Sequence, residues 1–196
     1  ACGETSTSEE VERAFQEVNV IDETNLNEVM LTVGDPNEAV KYFQRTLAQN
    51  PDRIDLHRGL ARSLTRAKRT SEAHVAWAKV VAHPESDDAD RAELADALIR
   101  NNSWDEAEVI LRAIPPTYET HKRYRLEAMI ADANEDWQRA DAFYETAVGL
   151  TSTPAGTLNN WGFSKLTRGE HAEAERLFMD ALRHDRSLFT SKNNLA

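Results

Sequence analysis

Apolar residues along the chain are spaced for helices rather than strands, and the spacing itself recurs. Alanines at 39, 73, 107, 140 and 174 lie 34, 34, 33 and 34 residues apart. Four residues after each comes a large apolar side chain (Phe43, Trp77, Leu111, Tyr144, Phe178), and three further on a smaller one (Thr46, Val80, Ile114, Ala147, Ala181). Offsets of four and seven lie on one helix face, so each alanine marks the buried stripe of an amphipathic helix. A second small residue stands twelve positions before each anchor, at Ala61, Ala95, Ala128 and Gly162, with Asn27 the exception. It follows Leu26, Leu60, Leu94 or Trp161, with Glu127 as the departure. The pattern therefore predicts pairs of helices, the first carrying a Leu-small step and the second an Ala-x3-aromatic step.

Turn residues fall where this register needs them. Asp35-Pro36 supplies an N-cap acid and an N1 proline at the mouth of a second helix, and Gly34 and Gly169 occupy the reversal between paired helices. Pro51 and Pro84 follow second helices. Pro115-Pro116 cuts one short and accounts for the single 33-residue interval.

Helix pairs of this length and pattern resemble tetratricopeptide repeats. The strongest match is Leu158-Asn159-Asn160-Trp161-Gly162, then Gly169-Glu170, Ala174, Phe178 and Ala181-Leu182. The resemblance implies an all-α solenoid with a right-handed superhelix and units at 20–53, 54–87, 88–120, 121–154 and 155–188. A partial unit at 189–196 would follow, after an N-terminal tether over 1–19. Glu127 and Lys165 stand where apolar residues are expected, with Leu126 and Leu166 beside them, so a slight rotation of both first helices is expected.

Composition narrows the class of partner. Of 196 residues, 34 are acidic and 23 basic, a net charge of −11, which repels nucleic-acid backbones and anionic membrane surfaces. No apolar run exceeds four residues, far short of a bilayer span. Only 7 Gly and 6 Pro leave little turn chemistry for a sheet.

Catalytic and metal signatures do not emerge. The six histidines lack His-Glu-x-x-His spacing and cysteine companions. Glycines form no phosphate-cradling loop and no serine sits in a nucleophile elbow. Asp87, Asp88 and Asp90 lack the central Gly and distal Glu of a calcium loop and read as helix-capping acids. The four tryptophans read as packing residues. The expectation is a non-enzymatic interaction protein with no cofactor and no metal.

In solenoids of this type, first helices line the concave surface that receives peptides. There Arg58, Arg62 and Arg66 recur at steps of four, and 53–69 holds six basic residues against one acid, Asp55. Guanidinium groups in a row suit the carboxylates of an acidic peptide, unless neighbouring acids such as Glu93 and Asp96 neutralise them. Lys122, Arg125, Asn159, Asn160 and Phe163 extend the track, the asparagines able to bond a peptide backbone.

The lone cysteine, Cys2, lies in Ala1-Cys2-Gly3 ahead of a polar, acidic stretch. Without an initiator Met, this looks like the visible end of a bacterial lipoprotein box, with Cys2 as the acylated residue. Together with the repeats and the closing Asn193-Asn194-Leu195-Ala196, it resembles the TadD-type lipoproteins of Flp/Tad pilus assembly. That resemblance implies a scaffold or pilotin-like helper on the periplasmic face of the outer membrane, with the pilus secretin or another assembly component as partner. The membrane would be touched only through the lipid. A cytoplasmic peptide-binding adaptor or chaperone, or an accessory subunit of an enzyme complex, are the other readings of the same residues.

Overall fold

The computed structural model describes residues 25–32 and 34–188; the tether with Cys2 and the partial unit at 189–196 lie outside them. Among the described residues there are ten helices and no strand, in agreement with the all-α expectation. They are α1 (25–32), α2 (Pro36–Gln49), α3 (Ile54–Arg66), α4 (Thr70–Val81), α5 (Asp88–Arg100), α6 (Trp104–Arg112), α7 (His121–Ala133), α8 (Trp137–Gly149), α9 (Ala155–Thr167) and α10 (His171–His184). They fall into two compact units, divided between Glu85 and Ser86.

In the first unit, α3 packs against both α2 and α4. Close approach is set by absent side chains: a Cβ at Gly59 would lie 2.3 Å from the Phe43 ring, which is fully buried. Trp77 is 1% exposed and its indole N–H donates to the Thr65 hydroxyl at 3.3 Å. Tyr42 reaches back to the Asn27 side chain at 2.8 Å, joining α2 to α1. The Asp35 carboxylate accepts from the backbone N–H groups of Asn37 and Glu38, starting α2 as the Asp-Pro dipeptide predicts.

In the second unit each helix packs on the next, and α5 meets α7 as α7 meets α9. First helices thus lie side by side, and α6 and α8 each pack between their own first helix and the next, with the core at these contacts. Ala107, Ala128, Ala140 and Tyr144 are buried there, and Gly162 admits the Phe178 ring to 2.6 Å of where a Cβ would stand. Asp87 and Asp90 form a reciprocal capping box at the start of α5. Arg123 donates to the carbonyls of Pro115 and Tyr118, tying down the connector that shortens α6.

The reversals within helix pairs share one backbone feature. Lys68, Asn102, Glu135 and Gly169 all have left-handed φ values, 58°, 64°, 58° and 78°, each five residues before an anchor alanine. Three L-residues thus occupy a conformation that costs them about 1–2 kcal/mol.

The expected rotation does not occur in α9. Lys165 is 8% exposed, inside the seam, while Leu166 is 42% exposed. The buried ammonium is held by Asp141 at 2.9 Å, Glu170 at 2.8 Å and Glu173 at 3.0 Å. Arg168 grips the same Asp141 through two nitrogens at 2.7 and 3.1 Å, and the Trp161 N–H donates to it at 2.7 Å. Burial alone would raise this carboxyl, but the hydrogen bonds from Arg168, Lys165 and Trp161 outweigh it and hold the pKa at about 2. At α7, Leu126 is fully buried and Glu127 half-buried, its nearest cation Arg123 at 3.8 Å. Burial outweighs Arg123 there and raises the Glu127 carboxyl.

Candidate functional site

The arginine stripe of α3 separates into three different situations. Arg66 donates to the carbonyls of Met30 at 3.1 Å and Gly34 at 3.0 Å, closing the C-terminal end of α1 and the turn after it. Arg58 is half-buried and donates to the Glu85 carbonyl at 3.4 Å. Arg62, between them, is exposed and has no hydrogen bond or ion pair with another described residue. Of the other cations of 53–69, Arg53 bonds Asp55 through two nitrogens and Arg69 bonds Glu72 likewise, while Lys68 is exposed. Among the described residues the patch thus presents one open guanidinium, at Arg62, rather than three.

In the second unit, Lys122 pairs with Glu93 at 2.5 Å and Arg125 with Asp96 at 3.3 Å, a ladder linking α7 to α5. Asp96 also receives Arg100 at 3.1 Å. Glu93 and Asp96, offered by the sequence as counterions for the α3 stripe, serve α7 instead. Lys122 and Arg125 therefore contribute little uncompensated charge for a ligand.

Asn160 and Phe163 stand on α9 facing a cleft of about 340 Å³ shared with α7 and the first turns of α6 and α8. Asn160 makes only a long contact, 3.7 Å, from its amide nitrogen to the Met129 sulfur. Phe163 is 45% exposed and packs edge-on against Phe178, centroids 5.1 Å apart. Asn159 is half-buried, and its side-chain oxygen is buried without a hydrogen-bond partner.

Three residues of this cleft escaped the sequence reading as ligand contacts. Trp104 and Trp137 occupy equivalent places at the start of α6 and α8, and both line it. Their shared register signals a common role, which the sequence assigns to packing. Asp132, near the end of α7, is the third. Its Oδ1 accepts from the Ser164 hydroxyl at 2.6 Å and its Oδ2 from the Tyr144 hydroxyl at 2.8 Å. Burial raises its pKa against the pull of those two bonds. Tyr144, stacked on Trp161 with centroids 6.0 Å apart, is pushed upward in turn by burial and by Asp132.

Among the described residues no group of three or more His, Cys, Asp or Glu could hold a metal ion, and no helix is long and apolar enough to cross a membrane.

Residues 30–89 match the tetratricopeptide repeat family model. No curated protein matches the chain. Among solved structures, TTC0263, a thermophilic tetratricopeptide protein of Thermus thermophilus, superimposes with a TM-score of 0.70 at 17% identity, covering 87% of this chain and 95% of that one. MamA from Desulfovibrio magneticus RS-1, residue 41 to its end, gives 0.67 at 18% identity over 84% and 93%. YrrB, described as a tetratricopeptide protein with an unusual peptide-binding site, gives 0.61 at 13% identity over 86% and 89%. The fold is the tetratricopeptide fold.

Proposed function

We propose that this chain is a non-enzymatic scaffold that holds a partner protein through its first helices, with an acidic segment of the partner engaging Arg62. The supporting observation is the exposed guanidinium of Arg62, without a partner among the described residues, on a helix whose other arginines are bonded to main-chain carbonyls. A guanidinium receives a carboxylate through two parallel hydrogen bonds. The test is titration of the full chain with a short Glu-rich peptide. Arg62→Glu should weaken binding about tenfold or more with helicity unchanged, and added salt should weaken the native interaction. Unchanged binding in Arg62→Glu would exclude this surface.

The finer reading places the scaffold on the periplasmic face of the bacterial outer membrane, acylated at Cys2, as a pilotin-like component of Flp/Tad-type pilus assembly. Its support is the Ala1-Cys2-Gly3 context and the acidic stretch after it, a tether from which a repeat domain reaches its partner. Native protein should then partition into detergent with the mass of an acylated N-terminal cysteine, and Cys2→Ser should remain aqueous. A native chain of unmodified mass in the aqueous phase would favour the cytoplasmic adaptor instead.

A further inference from the structure

We propose that the cleft between α7 and α9 is a second recognition site, of opposite polarity to Arg62, that takes a basic side chain, Arg or Lys, projecting from a partner peptide. It stands on observations independent of the α3 surface and deepens the scaffold reading by naming what the second unit selects.

Asp132 is the only charged residue among the described residues lining the cleft. Its two oxygens receive neutral hydroxyl donors, from Ser164 and Tyr144, which leave lone pairs on the carboxylate and bring no formal charge to it. Arg168 acts on the same carboxylate through the Ser164 hydroxyl, to which it donates at 3.3 Å, but makes no direct ion pair with it: its guanidinium is bonded to Asp141 and lies over the Trp137 ring, 5.4 Å from the centroid. Trp104, Trp137 and Phe163 line the same cleft. A half-buried carboxylate in a cleft lined by aromatic residues favours an incoming organic cation through a charge-assisted hydrogen bond, and a ring whose face it meets adds its quadrupole. An acidic side chain would meet repulsion from Asp132, and an aliphatic one would leave the carboxylate desolvated without a donor. The cleft's 340 Å³ accommodates one long side chain rather than a folded element. Asn160, whose amide makes no strong bond, stands at the same cleft and can accept or donate to the main chain carrying that side chain.

The test uses the full chain and four hexapeptides identical except at one central position, which carries Arg, Lys, citrulline or Glu. Citrulline keeps the shape of arginine and removes its charge. Indole N–H signals in a nitrogen–proton correlation spectrum, assigned by single Trp→Phe variants, report the site. The Arg and Lys peptides should move the Trp104 and Trp137 signals and leave Trp77 in place, whereas citrulline and Glu should bind at least about tenfold more weakly. Asp132→Asn should remove the preference for Arg over citrulline. Should that variant lose its helicity, Phe163→Ala decides, by weakening the Arg peptide several-fold while keeping the charge preference. Arg62→Glu should leave this binding untouched, so failure of one surface is distinguishable from failure of the other. Equal shifts from Arg and citrulline, or Arg binding undiminished in both Asp132→Asn and Phe163→Ala, would overturn the proposal.

Discussion

Replacing Asp141 by asparagine tests the internal electrostatics of the second unit at the point where most is concentrated. One carboxylate there serves two cations that are nearly out of solvent, Lys165 and Arg168, with side-chain exposures of 10% and 8%, and accepts from the Trp161 indole as well. Asparagine preserves shape and can still accept one hydrogen bond, but its amide nitrogen faces donors and its charge is gone. Breaking a buried ion pair by removing one partner costs about 3–5 kcal/mol. Here the loss is smaller, because Lys165 keeps Glu170 and Glu173 and Arg168 keeps Glu170 at 3.4 Å. Linkage gives a second route to the magnitude. A carboxyl held at about 2 when folded, against an ordinary 3.8, contributes about 2 kcal/mol. Both routes place the cost at about 2–3 kcal/mol at pH 7.

The pH dependence carries its own sign. With the folded pKa below the unfolded one, the stabilisation is fully present above about 4 and is lost as pH falls toward 2. Urea unfolding followed by circular dichroism, for native and Asp141→Asn protein at pH 7 and at pH 2.5, reads this directly. Other carboxylates titrate in both proteins and cancel in the difference. The gap should be about 2–3 kcal/mol at pH 7 and should shrink markedly at pH 2.5. A gap under about 0.5 kcal/mol at neutral pH, or one that does not narrow in acid, would refute the account of the network.

Further substitutions test packing and backbone in the same assay. Gly59→Ala should cost about 2–3 kcal/mol because its Cβ would stand 2.3 Å from the immovable Phe43 ring, whereas Gly162→Ala should cost about 1 kcal/mol because the half-exposed Phe178 can swing away. Comparable costs at both sites would mean that ring mobility is not the deciding factor. Glu135→Gly should raise stability by about 0.5–1 kcal/mol by relieving a left-handed L-residue, and Gly169→Ala should lower it by about 1 kcal/mol, with the reverse signs counting against backbone strain as the cause. Ala107→Leu should cost about 1–3 kcal/mol at a fully buried anchor, while the exposed Ala48 should accept the same change; equal tolerance would undo the assigned register.

The fold was legible because its signal is repeated. Five anchor alanines at one period, each followed by a large apolar residue on the same face, define helix pairs before any tertiary information, and all five alanines are buried. Where the signal is a single residue, physics admits more than one outcome. Glycine marks only two of the five reversals, so Lys68, Asn102 and Glu135 pass unnoticed as left-handed residues although their spacing follows the same period. Lys165 suggests a rotated helix only while its counterions are unknown; with Asp141 from α8 and Glu170 and Glu173 at the start of α10 it is a satisfied buried ammonium. The candidate site suffers most from this ambiguity. Steps of four place Arg58, Arg62 and Arg66 on one face, yet main-chain carbonyls, which bind two of them, have no sequence signature. A carboxylate on a first helix can serve either neighbouring first helix, and periodicity is the same in both cases, so Glu93 and Asp96 could be assigned to α7 only from coordinates. Asp132 needs three helices at once: α7 to carry it, α8 to supply Tyr144 and α9 to supply Ser164. A repeat pattern describes each helix pair against its own period, whereas a recognition site is made where successive pairs differ, at the positions that the consensus leaves unassigned.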